Sequence, residues 1–399
     1  MAAKAKTFIL AITASLIAIC MIISPRHSIQ GALQGIQLWG NIVFPSLFPF
    51  FILAEMMFSL GIVHFIGVLF EPIMRPLFRV PGVGGFVLSM GIVSGFPAGA
   101  KFTARLKQEK QISAIEAERL VSFTNSSNPL FMSGAIAVGL FHNPSLAILI
   151  MASHYLGNLF VGFTMRFHGQ KKEKFAKHKT SFSLSQAFHE MHIKRTSDRR
   201  PFGKKLSDAV NSAMQTMLMI GGFITLFSVL NNVLSYIHAI DFLAFIFANV
   251  LSLFSIPEEL SVPFLAGLLE ITNGSKLVSE TENVSLLHQM MIISFILGFN
   301  GFSIQAQVAS LLAEAQIRFL PYFAARILHG LYAVFFTFVL WHPLDKKYMF
   351  SYVPVSAPQQ LHSQDFWIVF NSYGSLFTVI ALSIFITLHF IRFKKQHPA

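Results

Sequence analysis

Ser122-Phe123-Thr124-Asn125-Ser126-Ser127-Asn128-Pro129-Leu130-Phe131 interrupts an apolar run that reaches from Arg119 to Phe141. A proline has no N–H to donate, and it pushes the residue before it out of the helical region, so the helix breaks here. The flanks are nevertheless apolar enough for the interior of a bilayer. In hydrocarbon such a break survives only where protein or a wet cavity satisfies the freed backbone groups. The stretch therefore reads as a broken membrane span, and the fold class that can hold it is an all-α, polytopic membrane protein.

Composition agrees. Of 399 residues, 54% are hydrophobic and 12% are charged, and the mean hydropathy is +0.60. A soluble chain of this length needs more charge to cover its surface. The 44 phenylalanines suit lipid-facing positions, and the formal charge of +12 reads as Lys and Arg held in cytoplasmic loops rather than as a nucleic-acid surface. A single cysteine, Cys20, builds neither a disulfide framework nor a thiolate metal site. No cofactor motif is present.

Around the broken run, seven more crossings are long enough for a hydrocarbon core of roughly 30 Å. They are Thr7 to Ile23, Asn41 to Gly61, Pro144 to Phe167, Asn211 to Ile237, Leu287 to Leu312, Phe319 to Trp341 and Phe366 to Ile391. The first is long for a signal peptide and lacks a small-residue cleavage site, so it reads as a retained span. The run from Leu287 is itself interrupted at Gly298-Phe299-Asn300-Gly301. Val83 to Ala100, with Ser94-Gly95-Phe96-Pro97, and Val262 to Lys276, with Glu270-Ile271-Thr272-Asn273-Gly274, are too short or too broken to cross and read as two re-entrant segments. Phe242 to Phe254 reads as an interfacial helix, with another crossing as the alternative.

The cationic residues set the orientation. Gly169 to Lys205 is dense in Lys and Arg and belongs in the cytoplasm, as do Lys101 to Lys110 and the basic C-terminal residues. Eight crossings then place both termini in the cytoplasm. The expected organisation is an N-terminal span over 1–27, a first repeat over 28–168, a basic loop over 169–205, a second repeat over 206–341, and a C-terminal span and tail over 342–399.

The halves resemble each other in order. Gly99-Ala100-Lys101 matches Gly274-Ser275-Lys276, and His154 matches His329, both at an offset of 175. Ser122-Phe123 with Asn128 matches Ser294-Phe295 with Asn300 at 172. The opening span of each half enters from the opposite side, so the repeats are inverted. Inverted halves with paired broken helices are typical of secondary transporters, whose site lies near the midplane between the breaks.

The residues that carry chemistry are the polar ones in those breaks. Asn125, Ser126, Asn128, Glu270, Thr272, Asn273 and Asn300 are the candidate substrate-binding residues. Amides and hydroxyls at a broken helix either meet a polar ligand or cap the helix ends, and Gln305 shares that ambiguity. Glu270 is a costly intramembrane carboxylate, with a role toward solute, cation or proton, or else a salt bridge to Lys276 or Lys101. Glu55 lies nearer a span end and reads as interfacial. His154 and His329 read as interhelical hydrogen-bonding residues, with a proton relay or a metal as the alternative. No catalytic triad, P-loop, zinc-protease helix or dinucleotide glycine pattern supports an enzyme.

Four pieces carry a wider resemblance: Ser94 to Lys101, Ile112 to Phe123, Asn125 to Phe131, and Gly267 to Lys276. Together they resemble the YlbJ-type sporulation integral membrane proteins of endospore-forming bacteria, which carry the nucleoside-recognition Gate domain. The resemblance implies a role in spore cortex formation, and a location in the cell membrane or the outer forespore membrane. It also implies partners beyond the lipid bilayer: a small polar or nucleoside-like solute, and other sporulation membrane proteins. A fold-level analogy does not name a substrate. A non-transporting scaffold that docks cortex-synthesis proteins on the basic loop is the competing expectation.

Overall fold

The computed structural model describes residues 2–169, 183–253 and 255–344, and every regular element within them is helical. The expected span over Phe366 to Ile391 and the basic residues from Lys171 to Lys179 lie outside the described residues. The first half runs α1 (Ala2–Ile23), α2 (Pro25–Leu38), α3 (Phe44–Ser59), α4 (Ile62–Phe78), α5 (Gly84–Ser94), α6 (Ala98–Gln108), α7 (Ala114–Thr124), a π-helical segment (Phe131–Leu140) and α8 (Leu146–Met165). After α9 (Leu184–Ser197), the second half runs α10 (Phe202–Tyr236), α11 (Ala239–Ser252), α12 (Ser261–Leu269), α13 (Ile271–Ser279), α14 (Leu286–Phe299), α15 (Gly301–Glu314) and α16 (Phe319–Leu344).

From α3 and from α10 onward the order is the same. A long helix leads to a second helix, a helical hairpin, a pair of helices split by a break, and a closing helix. Leu146–Met165, Phe202–Tyr236, Leu286–Glu314 and Phe319–Leu344 are each long and apolar enough to cross a membrane. Two bent pairs raise that number to six among the described residues: Ala11–Ile23 with Pro25–Asn41, bent by 102°, and Leu47–Ser59 with Ile62–Phe78, bent by 83°. Large apolar side chains stay exposed on the outer helices, among them Phe8 and Leu16 of α1, Phe242 and Phe245 of α11, and Phe335 and Phe338 of α16. In water so much exposed apolar surface would be a liability; against lipid it costs nothing.

Three features depart from the sequence reading. Pro25 to Leu38 forms a helix, begun by Pro25 at its first position. Its Gly31 and Gly35 lie against the backbone of α10, where an added Cβ would come within 2.8 Å of Val229 Cα and 2.6 Å of Thr225 Cα. That small-residue spacing lets two backbones approach closely in a membrane. The basic stretch is not all loop: Ser183 caps α9 through the Gln186 N–H, and Phe188 of α9 packs on Phe65 of α4 at 4.9 Å between ring centroids. Glu55, expected near a span end, is buried within the protein, for a reason given by its partners below.

Both segments expected to be re-entrant are helical hairpins. In the first, α5 ends at Gly95, whose φ of +79° is left-handed and open to glycine at little cost. In the second, α12 ends at the extended residue Glu270, which starts α13. Gly267 and Gly274 let the two arms of that hairpin touch backbone to backbone.

Candidate functional site

The two breaks meet. Asn125 and Asn300 both place their side-chain amides at the buried hydroxyl of Tyr322 on α16, at 2.8 Å and 2.9 Å. Asn300 adopts φ +76°, a left-handed conformation that asparagine tolerates better than most residues. With its amide oxygen toward Tyr322 and Asn125, its nitrogen donates to the carbonyls of Leu297 and Gly298 at 2.9 and 3.1 Å and so closes the end of α14. Asn125 is therefore the structural counterpart of Asn300, at the same offset of 175 that separates His154 from His329. The N-caps of α7 and α14, Ser113 and Ser285, keep the offset of 172.

Arg326 of α16 closes the other end of this joint. Its guanidinium is fully buried. It donates to the carbonyl of Asn125 at 3.0 Å and to that of Ser122, the unpaired C-terminal carbonyls of α7. A cation there also complements the helix dipole. Ser126 donates to the Gly91 carbonyl at 3.3 Å, fastening the break to α5. The Ser127 N–H donates to His154 Nε2 at 3.0 Å, and Tyr155 Oη donates to the Ser127 carbonyl at 3.0 Å.

Asn128 faces a different space. Its Oδ1 accepts from the Phe131 N–H at 2.7 Å, restarting the helix after Pro129, and its Nδ2 donates to the Ser94 carbonyl at 3.3 Å. Glu270 caps α13 by accepting from the Asn273 N–H at 2.8 Å. Neither lysine proposed for it is its partner: Lys276 lies 3.8 Å from Glu280 and Lys101 lies 3.1 Å from Glu55.

Asn128, Glu270 and Thr272 line one cavity of about 310 Å³, which also takes in Ser94, Ser303 and Gln307. The two hairpin turns supply its polar edge from opposite halves. Its walls are apolar, with Leu38, Leu47, Ile220 and Ile224 among them. Sites for small molecules have this make-up, an apolar wall with a few placed polar groups, in volumes of roughly 300–1,000 Å³. Ser94 Oγ is buried and makes no hydrogen bond among the described residues. The Asn273 side chain does not line this cavity, and Asn125, Ser126 and Asn300 stand behind it, holding the breaks.

Sequence reasoning passed over Ser303 and Gln307. Their spacing of four on α15, one turn beyond the Asn300 break, is the signal that could have found them. No three His, Cys, Asp or Glu side chains among the described residues converge in a way that would hold a metal.

The nucleoside-recognition Gate family matches the chain twice, over residues 42–141 and 217–315. The first match covers the opening helix, the hairpin and the broken span of its half, and the second begins within α10 and covers the hairpin and the broken span of the other. Over 392 residues the chain is 51% identical to the sporulation integral membrane protein YlbJ of Bacillus subtilis (strain 168), covering 96% of this chain and 94% of the relative. The chain belongs to the YlbJ family of sporulation integral membrane proteins. No solved structure matches it. As a YlbJ-family member with several apolar helices, it is an integral membrane protein, and neither its relative nor its Gate matches belong to an enzyme family.

Proposed function

We propose that this chain is a transporter-like protein for a small polar solute of nucleoside-like chemistry, acting in spore cortex formation, with both termini in the cytoplasm. One observation carries the reading: polar groups from both hairpin turns, Ser94 on one and Glu270 with Thr272 on the other, converge with Asn128 of the first break on one cavity. Repeats that meet at broken helices are how secondary transporters build a site. In this cavity Asn128 and Gln307 supply amide donors and acceptors, Ser94, Thr272 and Ser303 supply hydroxyls, and Glu270 accepts hydrogen bonds from a ligand N–H or O–H. The apolar walls suit the faces of a flat ring. The Gate family's description, nucleoside recognition, fits the same chemistry.

The test has two stages. Metabolites that change between sporulating cells with and without the protein are first found by untargeted profiling. Their uptake is then measured in proteoliposomes. Glu270→Gln keeps a capping oxygen for α13 but removes the charge, and uptake falls on the order of tenfold, the effect of losing about 1.4 kcal/mol of interaction. Unchanged uptake by a folded Glu270→Gln protein removes Glu270 from the site.

A further inference from the structure

A second cavity, of about 520 Å³, lies along the same helices as the first. Glu55, Lys101, Arg105, Ser212, Gln215 and Ser310 contribute to its lining. On α3, Leu47 faces the first cavity and Glu55 the second. On α10, Ile220 and Ile224 face the first, and Ser212 and Thr216 the second. On α15, Ser303 and Gln307 face the first, and Ser310 and Glu314 the second. Spacings of three and four keep these residues on one face of each helix. The cavities are therefore stacked along a single seam, about 12 Å apart as measured along α3.

Along α3, Phe51 falls between the levels of the two cavities, one turn after Leu47 and one turn before Glu55. It is fully buried, and Lys101 Nζ sits 4.8 Å from the centre of its ring. Met219 lines the second cavity and the next residue, Ile220, the first, so α10 changes cavity at the same level. The Glu55 carboxylate meets Lys101 at 3.1 Å, Arg105, and the Ser212 hydroxyl at 2.9 Å. It thereby ties α3 to α6 and α10 beside Phe51. Charges buried this deeply in a membrane protein are costly and usually mark a pathway.

We infer that the second cavity is a vestibule connecting the basic, cytoplasmic side to the inner cavity, and that Phe51, steadied by the Glu55–Lys101 pair, is the gate between them. The vestibule lining holds both signs of charge together with amides and hydroxyls. It suits a polar solute without net charge, because a charged one would compete for the ion cluster. The inference rests on the transporter reading, but its test does not use transport.

Cys20, the chain's one cysteine, is first replaced by serine. Ser310→Cys and Ser303→Cys are then introduced separately, and sealed vesicles of each orientation are treated with a membrane-impermeant thiol reagent. Ser310→Cys labels from the cytoplasmic face. Ser303→Cys labels about tenfold or more slowly, as expected for a site reached only when a minor open state forms. Adding Phe51→Ala speeds labelling at Ser303→Cys and leaves Ser310→Cys unchanged. If Phe51→Ala lowers the melting temperature of the protein too far, Met219→Ala makes the same comparison. Labelling of Ser310→Cys only from the outer face overturns the inference, and so does a Ser303→Cys rate that neither variant changes. A vestibule that passes this test in a protein with no uptake would leave the path standing and remove the transport reading.

Discussion

His154 and His329 stand 175 positions apart in the chain and face each other with ring centroids 4.6 Å apart. His329 Nε2 meets the His154 carbonyl at 2.8 Å, while His329 Nδ1 meets Arg326 Nη1 at 2.9 Å. Arginine only donates, so Nδ1 of His329 accepts and Nε2 carries the proton. His154 Nε2 likewise accepts from the Ser127 N–H. Each ring is thus committed to an acceptor role at one nitrogen; His329 joins α16 to α8, and His154 joins α8 to the break after α7. This is the interhelical hydrogen-bonding role expected from sequence, with Arg326 and the α7 break as its additional partners.

Arg326→Leu destabilises the protein strongly. The carbonyls of Ser122 and Asn125 and the ring of His329 all lose a buried donor, and each unsatisfied group costs about 1–3 kcal/mol. Arg326→Lys does not rescue it, because an ammonium lacks the planar fork that spans two carbonyls. Thermal unfolding in detergent reads both variants; a Lys variant as stable as the parent would contradict the geometry.

Tyr322→Phe removes the hydroxyl that Asn125 and Asn300 share. The expected loss is about 1–3 kcal/mol. Combined with Asn300→Ala the losses are not additive, since the three side chains act as one joint. A double-mutant cycle on unfolding free energies checks this, and full additivity would mean the joint is not shared.

Two glycines separate packing from propensity. Gly274→Ala puts a methyl group into the Gly267 backbone of the opposing arm and prevents the α12–α13 hairpin from closing. Gly222, in the middle of α10, has open space around its Cβ position. Gly222→Ala is expected to stabilise by about 0.5–1 kcal/mol through helix propensity alone. Yield and melting temperature in detergent distinguish the two, and equal behaviour would sink the account of the hairpin.

Acid sensitivity should involve the turn after α6. Burial raises the pKa of Glu109, but hydrogen bonds from Arg105 and Gln111 and the charges of Arg105 and Lys194 outweigh it, leaving the carboxyl below its ordinary value of 4.5. A carboxylate with a lowered folded-state value adds stability above its unfolded value, and that stability is lost as pH falls through the folded one. Glu109→Gln is therefore less stable than the parent at neutral pH, and the difference shrinks as pH drops below about 4.5. Melting temperatures across that range give the answer; a gap independent of pH would contradict it.

Hydropathy and chain breakers are local properties, and they were enough for the all-α membrane class and for the positions of the breaks. Asn125 to Pro129, Gly95 to Pro97, Glu270 and Asn300 all interrupt helices where the sequence says they must, because proline, glycine and clustered amides act on their own backbone. The order of the two halves was also legible from the matched glycines and histidines. What the sequence left open was which polar residue meets which. Only tertiary packing decided that Asn125, not Asn128, meets Asn300 at Tyr322, that Lys101 answers Glu55 rather than Glu270, and that Asn128 and Glu270 face a common cavity. A side chain's hydrogen-bonding capacity is written in its identity, but in a dry interior its partner is whichever group the helices bring within about 3 Å.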